Sequence, residues 1–329
     1  MMTTMKLTSL PLCAMLLCGT AYAVEQKSAA PCTAPGISYW SLLGSVSVGY
    51  ADGHLRIDKL YAVCLPPPKA PSDSNYAYNP DQGGKLATVV RSADGQVVNT
   101  YVWNAENISG LWELSDYKVV GGTTKALDAG RYTLEFQLEG APFYRFDFSI
   151  ATLPSDDPYQ PAGTRYFIDG PWSGYGNIFY QRNDPESTLR FTTWVQDKAG
   201  HEAKRRVPYE AQLVRQRDGK VLGQDKGEFN LTPQWAQADL YFQSPGGDAN
   251  ARLKAAEVLR EDGTYRVRLT LDGKVYGEYS FVVKAGAIAV QGLQDDHTES
   301  TNRIVDYLYG GRYRSWWIRR AGGDAQVAK

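Results

Sequence analysis

The chain has 329 residues, with 35 lysines and arginines against 36 aspartates and glutamates, for a formal net charge of −1. That balance excludes the broad positive field that recruits nucleic acid. The length favours two domains over one.

The first stretch, MMTTMKLTSLPLCAMLLCGTAYA (1–23), places Lys6 ahead of an apolar run from Leu10 to Cys18, with Ala21 and Ala23 at its end. This is the layout of a cleaved secretory signal, and the run is too short to span a bilayer. Cleavage after Ala23 would leave residues 24–329 in the periplasm or secreted, and losing Lys6 takes the net charge from −1 to −2. A lipid anchor on Cys18 is the alternative; it ranks second because Leu17 stands where lipidation wants a small side chain. No later run supplies the roughly 20 apolar residues of a spanning helix, so the mature chain is expected to be soluble and without a membrane span.

Cys13 and Cys18 leave with the signal, so Cys32 and Cys64 form the expected disulfide in an oxidising compartment. In the chain-entropy view such a bridge stabilises by roughly 3–4 kcal/mol. Metal binding by this pair is the weaker alternative, because no neighbouring Cys or His completes a ligand set.

From Trp40 onward the chain repeats itself. Trp-Ser-x-x-Gly occurs at Trp40–Gly44 and again at Trp172–Gly176, 132 residues apart. VVRSADGQVV (89–98) meets LVRQRDGKVL (213–222), and NISGLW ending at Trp112 meets NLTPQW ending at Trp235. The longest block aligns residues 130–150 with 263–283 at a constant offset of 133, glycine on glycine and apolar on apolar. Tyr132, Leu134, Phe136 and Leu138 alternate with polar residues, as do Val267, Leu269 and Leu271, which is the period of a half-buried strand. EG at 139–140 and DG at 94–95, 218–219 and 272–273 mark hairpin turns.

The expected fold class is therefore all-β: two tandem antiparallel β-sandwich modules from an internal duplication, with a short C-terminal helix and an aromatic, basic tail. The expected boundaries are 24–154 for the first module, 155–162 for a linker, 163–287 for the second module and 288–329 for the tail. In architecture the modules resemble immunoglobulin-like or fibronectin-like sandwiches. Neither has the Cys, Trp, Cys spacing of antibody domains, since Cys32 precedes the repeat and Cys64 aligns with Lys198. The repeated Trp40 and Trp172 read first as core plugs and second as exposed stacking platforms. Tyr175 has no aromatic counterpart at Leu43, so it is the better candidate for a binding aromatic.

The three histidines, His54, His201 and His297, lie in different sections. The sequence around Ser173 misses the nucleophile-elbow spacing, and phosphate loops, HExxH and paired CxxC motifs are absent. No cofactor or metal is called for, and the chain is expected not to be an enzyme. QDDHTES (294–300) gathers Asp295, Asp296, His297 and Glu299, yet it lacks the alternation and turn glycine of a calcium loop and reads as a solvated loop. STNRIVDYLY (300–309) reads as a helix stopped by Gly310 and Gly311. In the tail, Arg312, Arg314, Arg319 and Arg320 interleave with Tyr313, Trp316 and Trp317, a set suited to anionic sugars, phosphates or headgroups. The competing reading makes it a terminal strand whose aromatics pack on the second sandwich.

These features favour an exported binding protein for a cell-envelope glycan or envelope protein, with Tyr175, Arg312, Tyr313, Arg314, Trp316 and Trp317 as candidate binding residues. The runner-up is an assembly protein or chaperone that pairs strand edges with a partner. A third reading is a hydrolase whose carboxylates meet across the modules.

Overall fold

A computed structural model describes residues 35–37, 39–66, 76–78, 85–108, 111–154, 163–181, 184–197, 204–246, 251–289 and 313–321. In the first half, β1 (Gly36–Ile37) leads through α1 (Tyr39–Ser45) to β2 (Val46–Val48), β3 (Leu55–Ile57), β4 (Leu60–Cys64) and β5 (Tyr76–Tyr78). There follow β6 (Leu86–Ser92), β7 (Val97–Ile108), β8 (Leu111–Val119), β9 (Gly130–Leu138) and β10 (Ala141–Pro154). The second half opens with β11 (Thr164–Asp169), α2 (Pro171–Gly174), β12 (Tyr175–Gln181) and β13 (Arg190–Val195). It continues through β14 (Arg205–Arg215), β15 (Lys220–Leu231), β16 (Ala236–Tyr241), α3 (Ala255–Leu259), β17 (Gly263–Leu271) and β18 (Lys274–Lys284). The last described strands are β19 (Ala287–Ala289) and β20 (Tyr313–Arg319).

The fold is all-β. One sheet runs β1-β4-β8-β7-β6-β9-β10-β11 with β5 on β7, and β2 pairs with β3 beside it. The second half holds the sheets β15-β14-β17-β18-β19 and β16-β13-β12-β20. The expected alternation is present: Tyr132, Leu134 and Phe136 are buried in β9, and Tyr265, Val267 and Leu269 in β17. The hairpin turns also form where expected, with left-handed backbone at both turn residues, Glu139 and Gly140 in one and Asp272 and Gly273 in the other. Two consecutive residues of positive φ match the twist of the flanking strands, which is why a glycine stands second in each.

Several side-chain contacts recur 133 residues on. The Tyr132 hydroxyl donates to the Asp128 carbonyl at 2.9 Å and the Tyr265 hydroxyl to the Glu261 carbonyl at 2.7 Å. Tyr132 stacks on Phe148 at 5.6 Å, and Tyr265 on Phe281 at 5.5 Å. One cross-strand pair recurs with its charges exchanged: Glu135 faces Arg145 at 3.0 Å, while Arg268 faces Glu278 at 2.5 Å. Opposite charges directly across an antiparallel pair attract whichever strand carries the cation, so the exchange preserves the contact.

The first Trp-Ser-x-x-Gly motif lies wholly in α1, the second runs from α2 into the start of β12, and the two differ in use. In the second, Trp172 is fully buried and its Nε1 donates to the carbonyl of Leu43, 129 residues earlier, at 2.7 Å. Phe146 meets that ring edge-on at 5.3 Å, and Trp235 stacks on it at 6.4 Å. Trp235 Nε1 donates to the Ile168 carbonyl at 2.7 Å, and Gln234 Nε2 to the Val48 carbonyl at 2.6 Å. Trp172 is thus a plug, but of the seam between the halves. Gly176 is required for another reason: a Cβ there would lie 2.1 Å from the Phe191 ring. The side chain of Trp40 is not among those described.

Strand β11, placed by the alignment at the start of the second module, hydrogen-bonds along β10 of the first, from Ser149↔Asp169 to Pro154↔Thr164. β19 sits on β18 in the same manner. Each half therefore receives its last edge strand from the segment that follows it.

Candidate functional site

A cleft of about 500 Å³ opens on the first half, lined by Gly44, Ser45, Ile57, Asp58, Lys59, Tyr61, Ser115 and Tyr117. The first Trp-Ser-x-x-Gly builds one wall. Ser41 Oγ accepts the Tyr61 backbone N–H at 2.7 Å, and Ser45 Oγ donates to the Lys59 carbonyl at 2.7 Å, so α1 fixes the path of the β3–β4 connection. Gly44 leaves the wall open, with no atom within 4 Å of where its Cβ would be. Tyr61 stands at the mouth, 54% exposed.

Strand β8 supplies the floor through an irregularity. Asp116 opposes Asn104 and Leu114 opposes Ala105, which leaves Ser115 without a partner residue in the ladder. Such a bulge re-aims side chains. Ser115 Oγ is buried and has no hydrogen-bond partner. A buried hydroxyl without a partner costs about 1–3 kcal/mol, so a ligand that bonded it would recover part of that loss.

The cleft is electrostatically mixed. Tyr117 packs edge-on against Tyr101 at 4.9 Å and Trp103 at 5.0 Å. Burial pushes its phenol upward in pKa and the Asp58 carboxylate adds to this against Arg56, so the hydroxyl stays protonated and able to donate. Lys59 is held as a cation by its 2.8 Å bond to Glu113, which raises its pKa. Donors (Tyr117, Lys59, Ser115), an acceptor (Asp58) and an exposed ring (Tyr61) thus converge on one hollow. Among the described lining residues Asp58 is the one carboxylate. This combination suits holding a hydroxyl-rich molecule.

The residues singled out in the tail lie elsewhere. β20 runs along β12, from Tyr175↔Arg319 to Gln181↔Tyr313. Trp317 is 7% exposed and stacks on Trp194 at 5.8 Å, so its ring is committed to packing and is not free to meet a ligand. Trp316, half-buried, stacks on Tyr180 at 5.4 Å. Tyr175 is half-buried too, with Arg319 over its ring at 5.8 Å and bonded to its hydroxyl at 3.3 Å. Arg320 lies over Tyr276 at 4.8 Å, and its backbone N–H donates to the Gly174 carbonyl at 2.8 Å. The tail accordingly forms a terminal strand on β12, with Trp316 packed against the core of the second half and Trp317 in the cluster that extends into the first. Tyr313 and Arg314 are placed in β20 by their backbone alone. Arg312, Cys32, the 294–300 loop and the expected helix at 300–309 fall outside the described residues. Cys64 is described, half-buried on β4 opposite Gly36.

No family model matches the sequence, and no curated protein is significantly similar to it. Among solved structures, a Bacteroides fragilis protein described as a candidate β-galactosidase aligns at 14% identity and a TM-score of 0.23. The match covers 60% of this chain and 30% of that one, and so weak a likeness carries no argument about fold or activity.

Proposed function

We propose that this is an exported binding protein that recognises a cell-envelope glycan or a glycan-bearing envelope protein through the cleft of its first half, acting by binding without turnover. The observation that carries the reading is the cleft itself: an exposed Tyr61, an unpartnered buried Ser115 hydroxyl, and Asp58, Lys59 and Tyr117 around them. Pockets that fix a ligand's orientation combine apolar walls with a few convergent polar groups in this way. Strand-edge assembly is the less favoured reading, because the long edge strand β15 carries Lys220, Lys226 and Glu228, and charges on an edge oppose pairing with another chain.

Three finer readings belong to this proposal. The recurring Tyr132 and Tyr265 contacts and the exchanged ion pair support two duplicated immunoglobulin-like modules, in which a tyrosine hydroxyl bonded to backbone just upstream is a hallmark. The signal layout of residues 1–23 supports export, to the periplasm or outside the cell. A Cys32–Cys64 disulfide is supported by the Gly36↔Cys64 pairing, which brings the chain four residues past Cys32 against Cys64.

Calorimetric titration of residues 24–329 with a panel of neutral and acidic envelope polysaccharides tests the function. Saturable binding that weakens about tenfold or more in Tyr61→Ala is expected, the loss of about 1.4 kcal/mol of contact. Binding to none of the panel, or binding indifferent to Tyr61→Ala, would refute the cleft as the site.

A further inference from the structure

The face of the β16-β13-β12 sheet turned away from the buried Ile178, Phe191 and Leu240 carries, at one end, a half-buried row of alternating cations and rings. Phe179 on β12 opposes Arg190 on β13, which opposes Tyr241 on β16. The Arg190 guanidinium lies 5.9 Å from the Phe179 centroid and 5.1 Å from that of Tyr241. Arg252, from the segment bridged to Gln243, adds a second guanidinium 4.4 Å from the Tyr241 centroid. With strands about 4.8 Å apart, the three-strand row spans roughly 10 Å.

Among the described residues neither arginine has a carboxylate partner, whereas the other arginines of the second half's sheets are mostly paired: Arg205 with Asp197, Arg215 with Asp218 and Glu261, Arg266 and Arg268 with Glu278. The acid in the next row of the face, Asp239, is engaged by Thr192 at 2.6 Å and by Gln237, and Asp225 accepts the Tyr241 backbone N–H at 2.9 Å. Arg190 and Arg252 are therefore held by ring faces, with their fork donors unused by any described residue. A guanidinium stacked in this way is oriented without being neutralised, which suits it to a planar oxyanion.

We infer that this row is a second binding surface, separate from the cleft, and that its ligand is a carboxylate-bearing polysaccharide. Two guanidiniums oriented by the rings of Tyr241 and Phe179 answer two carboxylates along an extended chain. A lipid surface is the poorer match: among the described residues the exposed large apolar side chains are Tyr61, Val97, Val120, Leu153 and Val275, none of them on this face. Nothing in the row depends on the cleft, so this surface stands or falls independently of the function proposed above.

The test uses residues 24–329 and polygalacturonate, with its fully methyl-esterified form and vesicles containing phosphatidylglycerol as comparators. Polygalacturonate is expected to bind and the esterified polymer not to, with affinity falling as salt is raised. Arg252→Gln and Arg190→Gln should each weaken binding about tenfold, and Arg190→Lys, which keeps the charge and loses the planar stack, should weaken it too. Arg206→Gln, an equal charge change at an exposed position of β14, should leave it unaltered. Arg252 is exposed, so its variant keeps the test valid if the half-buried Arg190 variants fold poorly. Equal affinity for the esterified polymer, tighter binding to the vesicles, or indifference to Arg252→Gln would each overturn the inference.

Discussion

Replacing Trp172 by phenylalanine probes the seam between the two halves. Trp172 is fully buried, and the change removes the Nε1 donor while leaving an aromatic ring. The carbonyl of Leu43, itself 3% exposed, then loses its 2.7 Å partner, which costs about 1–3 kcal/mol. The smaller ring also gives up contact with Phe146 and with Trp235, adding about 1 kcal/mol. The expected loss is therefore about 2–4 kcal/mol in urea-induced unfolding followed by circular dichroism. A cycle with Trp235→Phe isolates the stacked pair, and a coupling of about 0.5–1.5 kcal/mol is expected from rings 6.4 Å apart and nearly parallel. A Trp172→Phe cost under about 0.5 kcal/mol, or strict additivity with Trp235→Phe, would refute the seam as described.

Two further outcomes follow from the packing. Burial pushes Glu135 upward in pKa, but its hydrogen bonds from Gln137 and Arg91 and the charges of Arg91 and Arg145 outweigh this and hold it below its ordinary 4.5. Its folded pKa is thus depressed, so the stability it contributes is present above about pH 4.5 and is lost as pH falls through the lower folded value. Unfolding midpoints measured between about pH 6 and about pH 3 should decline, and Glu135→Gln should flatten that decline. Gly176→Ala sets a methyl against the Phe191 ring, whose nearest atom is 2.1 Å from the new Cβ, and should cost about 1–3 kcal/mol in thermal or urea melts.

The hairpins at 139–140 and 272–273 were legible because their signals are local: alternating apolar residues around a turn that demands positive φ. The assignment of β11 was not, because a strand's sequence sets its period while its partner is chosen by the tertiary arrangement; β11 aligns with the second half and pairs with the first. The Trp-Ser-x-x-Gly repeat was visible, but not its division of labour between a cleft wall and a buried seam, which depends on partners 20 residues away in the first copy and 129 in the second. The tail's aromatics drew attention by composition, and composition does not distinguish a ligand platform from a closing strand. The cleft escaped notice although a sign of it stood in LWELSDYKV. Its inward residues fall at Trp112 and Leu114 and then at Tyr117, and that slip in the period of two marks the bulge at Ser115.

Hydrogen–deuterium exchange of residues 24–329, with and without the tightest-binding polysaccharide of the panel, tests the central claim most directly. Recognition through the cleft predicts slowed exchange over 57–61 and 114–117, where Asp58, Tyr61, Ser115 and Tyr117 lie. Protection confined to other parts of the chain, or unchanged exchange at saturating ligand, would contradict it.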